Sequence, residues 1–169
     1  GLIQGNLSSG SGLINVQVNN TGTIEAVTNT LNFLGTLNNQ STGIIKGNGI
    51  IDIPVPTNFT NDGVFAPGAS PGTLSVIGNY ESTATSLLDL ELNGLIQGVD
   101  YDLLSIQGSG IFDGDVQITL GFSPNINDEF VVATTSGSIS ECNLPAMKSA
   151  SFGGSTYDFS VACRNNNEV

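Results

Sequence analysis

The sequence predicts an all-β chain wound as a β-solenoid, with coils of about 20 residues. Three observations predict it. Glycine-led turns recur: Asn20-Thr21-Gly22-Thr23-Ile24, Ser41-Thr42-Gly43-Ile44-Ile45 and Asn61-Asp62-Gly63-Val64-Phe65 share two polar residues, Gly, any residue, then a large apolar one. Their glycines stand 21 and 20 residues apart, the return length that lets one coil stack on the last. Short runs of alternating apolar and polar residues lie between the turns, and the 22 Gly are spread along all 169 residues instead of marking one linker.

Taken in order, Leu13–Val18, Ile50–Ile53 and Leu74–Val76 alternate with period two, as strands with one buried face do. Pro54 and Pro56 bracket Val55 and would interrupt a ladder, so they mark a corner or an edge, and Phe59 and Phe65 then fill the core of one coil. Leu88, Leu90 and Leu92 point one way while Asp89 and Glu91 point the other. Val116, Ile118 and Leu120 repeat this with Asp115, Gln117 and Thr119 outside, and Asp102–Ile106 forms a strand between them after a Gly98-Val99-Asp100 turn. Residues 1–122 therefore read as coils, and residues 123–169 as terminal coils or a cap of the same domain. In that tail Phe130–Ala133 reads as a buried strand, Ser136-Gly137-Ser138 as a turn and Tyr157, Phe159 and Val161 as a last strand. Ala146–Ala150 is the one short stretch that could turn helically.

Composition excludes several classes of function. The net charge of −12 sets 15 acids against Lys46, Lys148 and Arg164, and three cations cannot make a nucleic-acid footprint. An anionic membrane surface would repel the chain, and no run of 18 apolar residues is present to insert in one. With no His there is no Ser-His-Asp triad, and the two cysteines lack an imidazole partner. The chain opens on Gly1, shows no signal peptide and closes on Asn165-Asn166-Asn167-Glu168-Val169, which reads as a turn without its strand. The expectation is a mature or trimmed piece of a longer secreted protein. Cys142 and Cys163 are 21 residues apart, one coil by the spacing above. Strands stacked about 4.8 Å apart lie within disulfide reach, so the pair reads as a bridge, with two buried free thiols as the alternative.

Residues 63–80, Gly-Val-Phe-Ala-Pro-Gly-Ala-Ser-Pro-Gly-Thr-Leu-Ser-Val-Ile-Gly-Asn-Tyr, closely resemble the PGxSPGTLxVxGxY segment of bacterial autotransporter passengers and other large secreted surface proteins. The Leu-Asp-Leu-Glu-Leu strand, Tyr101–Gly108, Phe112–Val116, Phe122-Ser123-Pro124, Asp128-Glu129-Phe130 and Leu144-Pro145 are similar to the strands and turns that succeed this segment in those proteins, so the likeness spans roughly residues 40–163. The resemblance implies a right-handed parallel β-helix, or its C-terminal end, displayed outside a bacterium. Cysteine pairs are uncommon in such passengers, and no translocating barrel is present in this chain.

Candidate sites are few. Asp100, Asp102, Asp113 and Asp115 fall within 16 residues near glycine turns, and clustered oxygens of this kind suit calcium, the one cofactor the sequence suggests. Solvated turn aspartates are the plainer reading. Asp89 and Glu91, two apart on one strand face, are the nearest approach to a hydrolase carboxylate pair. Lys46, Lys148 and Arg164 do not converge as a lyase base requires. Sequons begin at Asn6, Asn19, Asn39 and Asn58, as expected by chance in so Asn- and Thr-rich a chain, and Thr21, Thr23, Thr28 and Thr30 do not recur at coil spacing as an ice-binding ladder would. The functional expectation is a non-enzymatic extracellular structural or adhesive module of a bacterial surface, able to stack its coil edges into a fibre. Its partners would be copies of itself or surface glycans and proteins. The alternatives are a fragment of a β-helical carbohydrate-active enzyme and a calcium-stabilised spacer.

Overall fold

The computed structural model describes residues 1–5, 10–54 and 59–169, and these form an all-β molecule without a helix. Parallel strands stack on three faces. The first face comprises β1 (Leu2–Gly5), β4 (Thr23–Ala26), β7 (Ile44–Gly47), β10 (Val64–Pro67), β13 (Leu87–Leu92) and β16 (Asp115–Leu120). The second comprises β2 (Ser11–Ile14), β5 (Thr30–Phe33), β8 (Ile50–Asp52), β11 (Thr73–Ile77), β14 (Leu103–Gln107) and β17 (Ala133–Thr135). The third runs β3 (Val18–Asn20), β6 (Leu37–Asn39) and β9 (Phe59–Asn61), then β12 (Tyr80–Glu81), β15 (Gly110–Phe112) and β18 (Ile139–Cys142), joined by the parallel bridge Asn61–Ser82. Each strand pairs with the strand three places earlier, which is the topology of a β-solenoid. An antiparallel hairpin, β19 (Met147–Phe152) and β20 (Ser155–Ser160), closes the order.

The period-two patterns place identical environments above one another. On the first face Ile3, Ile24, Ile45, Phe65, Leu88 and Val116 stand in register and point inward. Burying each such side chain contributes about 1.5–3 kcal/mol, so the column is a large share of the driving force. Phe59, Phe65 and Phe112 surround Tyr80 with ring centroids 5.2–5.8 Å apart. Burial pushes the Tyr80 phenol up to about 12.

The recurrent glycines have a specific cause. Asn20, Asn39 and Asn61 end β3, β6 and β9 with their side chains turned into the core, and they are 7%, 0% and 0% exposed. Asn20 Nδ2 donates to Asn39 Oδ1 at 2.7 Å, and Asn39 Nδ2 donates to Asn61 Oδ1 at 2.7 Å. The same amides reach the Ile44 and Val64 carbonyls at 3.2 and 3.1 Å. A Cβ at Gly43 would strike Asn39 Oδ1 and the Asn20 carbonyl, and one at Gly63 would strike the Gln40 and Gly43 carbonyls. Glycine recurs because the backbone of the preceding coil, joined at Gly43 and Gly63 by the asparagine ladder, occupies the space beside it.

Four expectations are corrected. Met147–Phe152 is a strand, because Gly153 and Gly154, at φ +58° and +83°, turn it back on Ser155–Ser160. The buried strand expected over Phe130–Ala133 begins at Ala133, and Phe130 instead joins an aromatic cluster with Tyr101, Phe122 and Phe159. Cys142 and Cys163 are bonded, with Cα atoms 6.3 Å apart, but the hairpin and not a coil separates them, and the bond joins β18 to the C-terminal tail. The tail does find its partner. Asn165 and Asn166 adopt left-handed φ of +53° and +59°, and Val169 then exchanges hydrogen bonds with Ala133, covering the outer edge of β17. The Asn6 and Asn58 sequons, Val55 and Pro56 lie outside the described residues.

Candidate functional site

The corner between the first and second faces grows along the molecule. It takes three residues after β4, two after β7, five after β10, ten after β13 and twelve after β16. The other corners stay short wherever they are described in full. Register offsets on the second face rise with it, at 19, 20, 25, 30 and 29 residues. Insertions gathered on one edge of a solenoid form its loop-bearing surface, so this corner is the candidate site.

Asp102 anchors it. The Pro67-Gly68-Ala69-Ser70-Pro71-Gly72 turn leaves Gly68 at φ +89° and Ser70 at φ +91°, and a Cβ on Gly68 would collide with the Asp102 carboxylate. Asp102 Oδ1 accepts the Gly72 amide at 2.9 Å and Oδ2 accepts the Glu91 amide at 2.7 Å. The carboxylate thus ties a loop of one coil to a strand of the next. Burial lifts it to about 6 despite those donors, with Glu91 and Asp89 adding repulsion. Asp89, on the outer side of β13, is also raised, first by burial and then by Glu91.

The remaining aspartates go elsewhere. Asp100 accepts the Ile96 amide at 3.2 Å within its own loop. Asp113 caps Gly114 N at 2.7 Å near the third corner, where Ser82 and Ser86 hydroxyls donate to its carbonyl. Asp115 is paired with Lys148 Nζ at 2.7 Å, which holds its carboxyl below the usual range. Among the described residues no three carboxylate, Cys or His groups come together as a metal site. The structure brings Asp102 beside Asp89 and Glu91 and does not gather the four aspartates. Arg164 pairs with Glu129 at 3.2 Å and Lys46 with Glu25 at 3.6 Å, so the three cations each meet a different acid.

Two features of this corner escaped the sequence. The ten- and twelve-residue loops expose Leu95, Ile96, Val99 and Ile126, the last 92% exposed, and Gln97 Nε2 ties one loop to the other through the Val131 carbonyl at 2.8 Å. Behind the longer loop, at the C-terminal end of the core, lies a cavity of about 750 Å³. Leu90, Leu92, Val116 and Ile118 form its floor, and Phe130 and Phe159 its walls. Phe130 and Phe159 were the signal available, and both read from the sequence as members of strands.

Comparison of the chain with protein-family models, with curated proteins and with solved structures finds no match in any of the three. No helix among the described residues is long and apolar enough to cross a membrane.

Proposed function

We propose that this chain is a non-enzymatic structural or adhesive module of a protein exported to a bacterial surface. In this reading it is a right-handed parallel β-helix with a basal coil of about 20 residues, consistent with the usual hand of parallel crossovers. The coils are the scaffold, and the lengthened first corner is the part that meets glycans or proteins. The observation that carries the reading is the confinement of long loops, with exposed Leu95, Ile96, Val99 and Ile126, to one corner of an otherwise uniform stack. A disulfide that fastens the tail suits an oxidising, extracellular setting. A fibre built by strand pairing at the C-terminal edge would have to displace Val169 from Ala133, so side-by-side or loop contacts suit self-association better.

The test is binding of the purified chain to arrayed surface glycans and to immobilised copies of itself, beside a variant carrying Leu95→Ser, Ile96→Ser and Val99→Ser. Binding that disappears in the variant while its melting transition is unchanged supports the reading. Cleavage of a glycan, abolished by Asp89→Asn with Glu91→Gln, would replace it with the hydrolase alternative.

A further inference from the structure

Along most of the molecule the coil interior is filled, yet at the C-terminal end it opens into the cavity of about 750 Å³. Small-molecule sites commonly run to roughly 300–1,000 Å³ with apolar walls and a few polar groups at the mouth. Ile118, Phe130, Val132, Phe159 and Val161 pack on the core with one side and are only partly buried, which leaves some of their apolar surface facing the space. This apolar hollow shares Ile126 with the exposed loop surface, while Leu95, Ile96 and Val99 lie outside its lining.

The mouth holds more acid than base. Asp128, Glu129, Asp158 and Arg164 are its ionisable residues. Arg164 Nη1 is occupied by both Glu129 oxygens, at 3.2 and 3.3 Å. Asp128 accepts the Asn125 amide at 2.7 Å and Asp158 the Ser149 hydroxyl at 2.6 Å, both uncharged donors. Asp158 turns to the Ser149 face of its hairpin, opposite Phe159, so Asp128 is the carboxylate left at the opening without a cation among the described residues, in a chain of net charge −12. Such a field attracts a cation and repels an anion entering the same hollow.

We propose that this cavity binds a small apolar molecule bearing a positive charge, a cationic amphiphile. Its hydrocarbon part lies on Leu90, Val116 and Ile118, and its cationic head stands beside Asp128. The lid over it is the segment that the Cys142–Cys163 bond fastens, so ligand and tail share one closure.

The experiment titrates the intact chain with decyltrimethylammonium and, separately, with decanoate, each below its micellar concentration and at low salt, by calorimetry and methyl NMR. The expected result is saturable binding of one decyltrimethylammonium per chain, about tenfold tighter than decanoate and weakened by added salt. The shifted methyl signals should be those of Ile118, Val132 and Val161. Ala162→Trp, at an exposed position on the rim, should fill the mouth and abolish binding. Glu129→Gln should release Arg164 and narrow the preference for the cation. Decanoate binding as tightly as the cation, no saturable binding of either, or shifts confined to other methyls would overturn the proposal. If Ala162→Trp does not melt cooperatively, the methyl mapping on the unaltered chain decides. The Leu95/Ile96/Val99 serine variant should keep this binding, so loss of surface adhesion and loss of the cavity are read separately.

Discussion

The third corner of the early coils and the first corner of the late coils both bury polar side chains, and they do so by opposite means. At the third corner Asn20, Asn39 and Asn61 repeat one residue at one position, joined amide to amide by hydrogen bonds. At the first corner a single carboxylate, Asp102, receives the Gly72 amide from the loop of the preceding coil and the Glu91 amide from strand β13 of its own coil. A stacked neutral amide satisfies itself with its own copies and carries no charge into the core. A lone carboxylate needs donors that only a particular loop and strand provide, and it keeps a desolvation cost that burial does not return. The repeated device makes regular coils, and the singular one permits irregular loops.

The sharpest way to break the comparison is Asn39→Ala. It strands Asn61 Oδ1 in a fully buried place and removes the bond from Asn20 Nδ2, which keeps its Gly22 and Ile44 carbonyls, a loss on the order of 4 kcal/mol from one stranded acceptor and the bonds lost with it. Urea denaturation should show it as a lower midpoint with the slope unchanged. Next in size is Cys163→Ser. Freeing the tail should cost about 3 kcal/mol, and hydrogen exchange should rise at Ala133–Thr135 while the amides of β4–β8 keep their protection.

The first corner supplies a pH effect. Asp102 titrates at about 6 in the folded chain against 3.8 when unfolded, so folding favours its protonated form. Its contribution is fully present below pH 3.8 and is lost as pH rises through about 6, worth up to about 3 kcal/mol. Asp89, raised in the same direction, slopes with it. Asp102→Asn should flatten stability across that window, measured by melts between pH 4 and about 7. The smallest effect belongs to Lys148→Ala. Its partner Asp115 is more than half exposed, and the loss should stay below about 1 kcal/mol and shrink further in salt.

How much was legible divides along the same line. Gly22, Gly43 and Gly63 announced the coil because a clash at each turn forces the same residue back at each return. The asparagines that line those turns stood in the same sequence, yet read as surface cover, since Asn is ordinarily exposed and only the stacked partner makes its burial tolerable. Cys142 and Cys163 were matched, although for a spacing that the hairpin, not a coil, supplies. Met147–Phe152 looked helical because nothing in six residues reveals that Gly153-Gly154 folds a partner onto it. The contact of Asp102 with Gly72 spans 30 residues and depends on two loop lengths, so the sequence offered solvated turn aspartates or a calcium cluster and gave no sign of the clamp. The cavity, made by what fails to fill it, left only the phenylalanines as a trace.

The asparagine ladder has a direction: each side chain donates toward the C-terminus, and the series stops at Asn61, whose Nδ2 meets no further carboxamide because the next position in register is Ser82. Both rungs are 2.7 Å long although Asn20 and Asn39 stand 19 residues apart and Asn39 and Asn61 stand 22, so the extra residues between rungs are taken up elsewhere in the coil and leave the ladder intact. First-face offsets along the ladder are 21, 21 and 20 residues. Beyond the last rung they become 23 and 28. The ladder thus marks one edge of the stack that stays in line while insertions collect at another.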